Sequence, residues 1–507
     1  MPRFFASAAI SRPVRRSPAV FISIFLSLLY LRTMAPGLTW AFDGADGGDL
    51  IAAAATGGVP HPTGYPTYLL LASALLQLPF GPVAFRTNLL SLAATVLAAW
   101  VLYALVQEAT RSVLAAALAS IVFGTSPLVW SQAIITEVYA LQALLTVLFL
   151  GLLLASRPRR SIELALGLVA GLSIGNHLMG ALLLPLLLLR PESPGPAAVS
   201  NAARPTLVPV SLIKVYLERL LGLGAGLAIY LVIPLRASSH SPVNWGNVNS
   251  PQTLFSFVTG QMYWGRLQQS TAAYLISGAR SWADFMSEQL TVAGLLLATL
   301  GLIVLFRHGI LHIVTIWMAI SSSFLAIIYR APDSYVYLIP VVISCSIWIG
   351  LGSRWPAELP SGRLEYGGAA ATYLILGFFL LRGVLAVPRM DLSSDRRAED
   401  FGRAVLASAP DNAILVAQGD EATFTLWYFH YALHQRPDVS VVSRDLLTQP
   451  WYLDVLRYSY ADLDVPMEFS TSALGRANPG RTVCTVALIL PPRLDCGQQA
   501  GRQTGGT

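Results

Sequence analysis

Lysine is nearly missing from this chain, and charge of either sign is thin. Lys214 is the single lysine among 507 residues, and 12% of residues are charged against 54% hydrophobic. A soluble chain carries roughly 25% charged residues. The shortage therefore excludes an ordinary soluble globular protein and points to an integral membrane protein. Arginine in place of lysine is the mark of a GC-rich genome. The net charge of +6 lies mainly in loops, so it speaks to topology and gives no case for nucleic-acid binding. Cysteine is scarce as well: Cys345 lies inside an apolar run, which leaves Cys484 and Cys496, and no CxxC or Cys/His metal spacing occurs. That pair forms a disulfide if it faces an oxidising compartment. The first apolar run, Ala19 to Tyr30 behind Arg3, Arg12, Arg15 and Arg16, imitates a signal peptide. No small-residue cleavage site follows it, so it reads as an uncleaved first span. Internal repeats of the kind that build secondary transporters are also missing.

What the chain does have is a series of apolar runs, each a candidate to cross about 30 Å of hydrocarbon as a helix. They fall near 18–35, 84–107, 112–129, 133–155, 161–176, 177–190, 212–235, 289–306, 309–329, 334–352 and 368–387. The fifth and sixth are short, with a polar seam at "GNHLMG" (175–180), and read as one broken helix or two half-buried ones. With the N-terminus cytoplasmic, fifteen basic residues fall on inner segments and six on outer loops or outer span ends. That asymmetry favours an odd number of spans and a multi-pass cell (inner) membrane protein. It places 36–83, 236–288 and everything after 388 on the extracytoplasmic side. The 191–210 stretch, rich in Pro, Ala and Ser, reads as a flexible cytoplasmic linker.

Beyond 388 the composition shifts. Charge rises, and "AILVAQ" (413–418) and "VSVVS" (439–443) read as strands between helical patterns. The predicted fold class is thus an α-helical polytopic membrane protein of about eleven transmembrane helices (1–388) with a small C-terminal soluble α/β domain (389–507). A polar tail, "GQQAGRQTGGT", closes the chain.

Polar residues unusual at span ends collect on the outer face in this topology. They are Asp43, Asp46, Asp49 and His61; Glu137 and Tyr139; Asn176 and His177; Arg236, His240, Asn244 and Trp245; and Arg330, Asp333 and Tyr335. Ionisable groups beside lipid are costly and mark function. One shared cavity at the membrane surface suits a reaction between a lipid-borne donor and a water-side acceptor. There a carboxylate takes a hydroxyl proton as general base, and arginines such as Arg236 and Arg330 grip a lipid phosphate. A plainer reading of Asp46 and Asp49 is a capping box at the start of "LIAAAA", with Asp46 at the N-cap. Asp43 reads as a solvated loop residue, and His61 as a tie for the turn made by Pro60, Pro62 and Pro66. No ligand spacing singles out a metal site.

Several motifs occur jointly: Ala45-Asp46-Gly47-Gly48-Asp49-Leu50, His61-Pro62-Thr63-Gly64-Tyr65-Pro66-Thr67, Leu78-Pro79-Phe80-Gly81 and Arg86-Thr87-Asn88. They continue with "WSQAIITEVYAL" (130–141), "GNHL" (175–178), "PLR" (234–236), "NWG" (244–246) and "GDEATFTLWYFHYALHQRPDVSVVSRDLLTQPWY" (419–452). In these the chain resembles a multi-spanning family, long of unknown function, that includes protein O-mannosyltransferases of the GT-C glycosyltransferase superfamily. Two departures stand out: Asp49 occupies a position where that family has glutamate, and Thr63 replaces a proline. The resemblance implies transfer of a sugar from a polyprenyl-phosphate donor, with inversion, to an extracytoplasmic protein or glycan acceptor. It implies catalytic roles for Asp46 and Asp49, and substrate contacts for His61, Tyr65, Glu137, Tyr139, His177, Arg236, Arg330 and Asp333. A transporter or flippase of lipid-linked sugar is the rival reading, which expects charges near mid-membrane and paired broken helices.

Overall fold

The computed structural model describes residues 16–155, 159–189, 210–267, 271–305, 309–329, 331–354, 363–466, 470–488 and 493–496. The predicted linker at 191–210, the polar tail and Arg330 lie outside them, save Val210. The chain begins with α1 (Arg16–Thr33), the short α2 (Gly47–Thr56) and α3 (Pro66–Leu76), then α4 (Val83–Thr110) and the pair α5 (Val113–Thr125) and α6 (Pro127–Ala133). Next come α7 (Tyr139–Leu153), α8 (Arg160–Asn176), α9 (Val210–Leu227), α10 (Val232–Ala237), α11 (Pro251–Val258), α12 (Ala272–Leu305), α13 (Ile310–Ile328), α14 (Ile339–Gly352) and α15 (Arg363–Met390). The C-terminal part holds α16 (Arg397–Ser408), β1 (Ile414–Ala417), α17 (Asp420–Trp427), β2 (Ser440–Ser443), α18 (Pro450–Ser459), α19 (Thr471–Ala477), β3 (Val483–Ala487) and β4 (Arg493–Cys496).

Each of the eleven apolar runs coincides with helix. Six described helices are long and apolar enough to cross a membrane, and α5 with α6 adds a seventh as a bent pair. That pair breaks by 66° because Ser126 precedes Pro127 and is driven to an extended backbone (ψ 128°). Gln289 repairs the break, its side-chain oxygen accepting from the Leu128 amide at 2.7 Å and from Ser126 Oγ at 3.2 Å. The sixth run folds as a 3₁₀ segment, Leu178–Leu188. At about 2.0 Å of rise per residue, its eleven residues reach only about 22 Å, and it packs against α8 instead of extending it.

The loop expected at 236–288 is partly helical. It contains α11 and the first half of α12, whose 34 residues break at Thr291 (φ 64°, ψ 159°). The break falls where the apolar run at 289–306 begins. Helices α8 and α9 meet through glycines: a Cβ on Gly167 would lie 1.9 Å from the Arg219 carbonyl oxygen, and one on Gly171 would lie 2.6 Å from that of Leu223. Such close backbone approach is how packed membrane helices gain dispersion contact without a hydrophobic drive. Below this contact Arg219, only 2% exposed, pairs with Glu163 at 2.6 Å and with the Leu187 and Leu189 carbonyls.

The sheet runs β2-β1-β3-β4, the first three parallel and β4 antiparallel. Both strands predicted from alternation are there, as β1 and β2. Cys484 on β3 faces Cys496 on β4 across the ladder, and the two form a disulfide.

This C-terminal part docks on the outer-loop helices. Gly48 of α2 touches α17 so closely that a Cβ would sit 2.4 Å from the Phe424 carbonyl oxygen. Trp40 Nε1 donates to Thr425 Oγ1 at 2.9 Å, Thr39 Oγ1 to Asp395 at 2.6 Å, and Arg32 pairs with Asp391 at 2.9 Å. The ends of α1 and α15, the first outer loop and the sheet unit therefore gather on one side. Gly48→Ala forces α17 away from α2 and should destabilise the protein by about 1–3 kcal/mol. Faster protease cleavage near 390–397 would register that undocking; wild-type cleavage and an unchanged melting temperature would show that the contact yields.

Candidate active site

The first outer loop is organised around one histidine. Asp49, one turn into α2 and 0% exposed, accepts three hydrogen bonds. His61 gives two of them to Oδ2, from its backbone N at 2.8 Å and its ring Nδ1 at 2.7 Å. Trp245 Nε1 gives the third, to Oδ1, at 3.1 Å. The other ring nitrogen, Nε2, lies 2.8 Å from the Tyr65 hydroxyl and 3.4 Å from Asp46 Oδ2. Tyr65 Oη in turn donates to the Pro62 carbonyl at 3.2 Å. Each ring nitrogen of His61 thus faces an acceptor, the arrangement an imidazolium satisfies.

Electrostatics agree with that geometry. Burial pulls the His61 pKa down, but the Asp46 charge, the Asp49 hydrogen bond and charge, and Glu137 outweigh it and push it up to about 10. At Asp46 burial raises the pKa, the His61 cation lowers it, and Asp420, Asp49 and Asp333 raise it again, to about 6. The two aspartates are distinguished by access: the Asp46 side chain keeps 34% exposure and that of Asp49 none.

The capping-box reading of Asp46 and Asp49 is corrected. Asp46 holds the N-cap position of α2 but makes no side-chain cap bond, and the Asp49 carboxylate serves His61 and Trp245. Tyr65, which opens α3, sits in the left-handed region (φ 44°), a strained place for a residue with a large side chain. Its two hydroxyl contacts fix it there. Trp245 is held over Asp49 by main-chain pairing of its loop with Val59: Val59 N donates to Val243 O at 2.8 Å and Trp245 N to Val59 O at 3.1 Å.

A wall of rings extends from His61 in both directions. Tyr65 stacks near His177 with centroids 6.0 Å apart; His177 meets Tyr139 at 5.3 Å and Tyr337 at 5.6 Å. On the other side His61 faces Trp245 at 6.1 Å and Phe424 of the sheet unit at 6.4 Å. His177 Nδ1 accepts from the Met179 amide at 3.1 Å, which leaves its ring proton on Nε2. Glu137 is buried in the irregular link between α6 and α7, and its charge is felt by Asp46 and His61. That link is secured by α4. Thr136 Oγ1 donates to Asn88 Oδ1 at 2.7 Å, while Asn88 Nδ2 donates to the Ala35 carbonyl at 3.0 Å. The Arg86-Thr87-Asn88 motif therefore has a structural purpose, tying the outer loop to the Glu137 link.

Of the residues singled out from sequence, Asp46, Asp49, His61, Tyr65, Glu137, Tyr139 and His177 form this one cluster, with Asp333 within its field. Arg236 joins a different place. Its guanidinium donates to the Ala53 and Gly58 carbonyls at 3.4 and 3.3 Å and to Ser73 Oγ at 2.9 Å. It neutralises the C-terminal end of α2, about 15 Å along the helix from Asp46 at 1.5 Å per residue. Asp43 is exposed, as expected of a loop residue, and Tyr335 beside it donates to the Phe42 carbonyl at 3.2 Å. Sequence reasoning chose Tyr335 where Tyr337, two residues on, lines the wall, and it missed Phe424. Among the described residues no three His, Cys, Asp or Glu side chains gather as metal ligands.

Comparison with known proteins puts this cluster in context. A family model described as Protein O-mannosyl-transferase TMEM260 N-terminal domain matches residues 46–190, and one described as TMEM260-associated domain 2 matches 398–482. The chain is TMEM260-like. Protein O-mannosyl-transferase TMEM260 of Mus musculus is 28% identical over 481 residues, 87% of this chain and 64% of the mouse protein. The protein of the same name from Dictyostelium discoideum is 24% identical over 489 residues, 85% of this chain and 58% of its own length. This TMEM260-like chain thus spans about six-tenths of the length of these relatives. Its fold resembles ArnT from Cupriavidus metallidurans, a GT-C glycosyltransferase solved bound to undecaprenyl phosphate. The TM-score is 0.53 at 13% identity, covering 85% of this chain and 90% of ArnT, and the apo form gives 0.52. The family resemblance and the GT-C-like fold class read from the motifs both hold.

Proposed function

We propose that this chain is a membrane glycosyltransferase that moves a sugar from a polyprenyl-phosphate carrier to a hydroxyl acceptor on the outer face of the membrane. The names of its relatives make mannose the sugar and a protein serine or threonine the acceptor. One observation carries the reading: an accessible carboxylate, Asp46, is held against a buried histidine that a second, inaccessible carboxylate fixes in place.

In the proposed reaction an Asp46 oxygen takes the acceptor's hydroxyl proton as that oxygen attacks the anomeric carbon. The bond from that carbon to the phosphate oxygen breaks, and its electron pair leaves with the lipid phosphate. Asp49 is a positioning residue: with three hydrogen bonds on its two oxygens it holds the His61 ring and has no free face for substrate. The His61 cation keeps Asp46 anionic in an otherwise acidic site and stands beside the departing phosphate. Glu137, Tyr139, His177 and Asp333 line the sugar side of the same cluster. The undecaprenyl phosphate named in the ArnT structure supports a lipid-phosphate donor.

Proteoliposomes holding the purified chain, a panel of radiolabelled polyprenyl-phosphate sugars and cell-envelope protein test this reading. Label is expected to pass from lipid to protein with one donor of the panel. Label that crosses the bilayer and stays on lipid would replace the transferase with a flippase.

The pH dependence follows from the two shifted groups. A general base works ionised, so kcat/KM should rise with pH through about 6 as Asp46 loses its proton, and fall through about 10 as His61 loses its own. A flat profile between pH 4.5 and 7.5 would remove Asp46 as the titrating base.

A further inference from the structure

The sheet unit presents the carboxyl edge of its parallel strands to a cleft that the transfer chemistry does not use. This cleft, of about 390 Å³, is lined by Arg444, Asp445, Leu447, Thr448, Ser470 and Thr471. Arg444 and Asp445 directly follow β2, and Gln418 and Gly419 directly follow β1, so both loops lie on the same edge. The chain moves from β1 to β2 on one side and then to β3 on the other. Ligands of open α/β sheets bind outside the carboxyl ends of strands at such a reversal.

The cleft is also wired to the site. Gly419 N donates to Asp445 Oδ2 at 2.8 Å and Arg444 donates to Gln418 Oε1 at 2.9 Å. The next residue, Asp420, starts α17, the helix docked on α2, and its charge acts on both Asp46 and His61. One continuous path of bonded residues therefore joins the cleft wall to the catalytic carboxylate.

We propose that this cleft binds the polypeptide acceptor beside its target hydroxyl. The claim rests on the transferase reading above. A carboxylate and a guanidinium side by side, both exposed, match the N–H and C=O groups of an extended peptide. Leu447 and the hydroxyls of Thr448 and Thr471 offer mixed packing, and the lining holds no aromatic ring on which a sugar would stack. The volume falls in the range of ordinary ligand pockets, about 300–1,000 Å³. A segment seated there extends along the 418–421 loop toward Asp46.

The test uses the full chain in detergent and a set of fluorescent peptides, each with one serine or threonine, drawn from an envelope protein that accepts label. Binding is read by anisotropy with no donor present. Thr448→Trp fills the cleft and Arg444→Glu reverses its charge; each is expected to weaken peptide binding by about tenfold or more. Asp46→Asn should bind as wild type does. Equal binding by wild type and by either cleft variant that elutes as a single monodisperse species would overturn the proposal, as would no peptide binding by wild type. Donor turnover, assayed on the same wild-type preparation with and without Asp46→Asn, reports separately on the transferase reading. Turnover that depends on Asp46 without cleft-dependent binding sinks the cleft alone.

Discussion

Asp46→Asn should lower the rate of sugar transfer by about 10²–10⁴-fold, the usual contribution of a general base, and leave the protein folded. The replacement keeps the shape and one oxygen of the carboxylate but cannot take a proton. Its structural cost is small for three reasons visible at the site. Asp46 makes no cap bond to α2, Asn is itself well accepted at an N-cap, and His61 keeps its partner Asp49. Stability should therefore change by no more than about 0.5 kcal/mol, the range of substitutions that break no buried contact. Single-turnover transfer and a melting curve on one preparation separate the two effects. An active Asn variant would move the base elsewhere in the cluster, with Glu137 the next carboxylate to examine.

Asp49→Ala should be worse for the protein than Asp46→Asn, although the two residues are one turn apart. It removes three acceptors at once and leaves the His61 cation and the Trp245 indole N–H buried without their partner. Breaking a buried charge pair in this way costs about 3–5 kcal/mol, a large share of the roughly 5–15 kcal/mol that holds a domain together. Loss of monodisperse protein, or a clear drop in melting temperature, is the expected result. Asp49→Asn refines the point. Its one oxygen still accepts from His61 N–H, but the negative charge that helps hold His61 protonated is gone. The basic limb of the pH profile should then move below pH 10, whereas a purely structural role for Asp49 predicts a lower yield with the limb unmoved.

The difference between these two aspartates was not legible in the sequence. Both belong to one motif on one helix face, and a capping box explained them equally well. What separates them comes from far along the chain: Trp245, 196 residues on, and the Val59–His61 strand that Val243 holds in place. Pattern reading reports what is local, so hydropathy found every helix run and alternation found β1 and β2. The same locality misplaced Arg236. An arginine at a span end reads as a phosphate clamp until the C-terminus of α2 is seen to occupy it. Gly48 is a further case, since its motif position had no evident reason until Phe424 appeared against its Cα. The contacts between the outer loop and the sheet unit join segments more than 350 residues apart, and no periodicity encodes them.

The most direct measurement for the central claim is the anomeric configuration of the product, read by NMR on the transferred sugar. With Asp46 as base and Asp49 walled off by three hydrogen bonds, a single displacement is expected, and the product should have the configuration opposite to that of the donor. Retention of configuration would contradict this account, because it requires an enzyme nucleophile where the account places only a base.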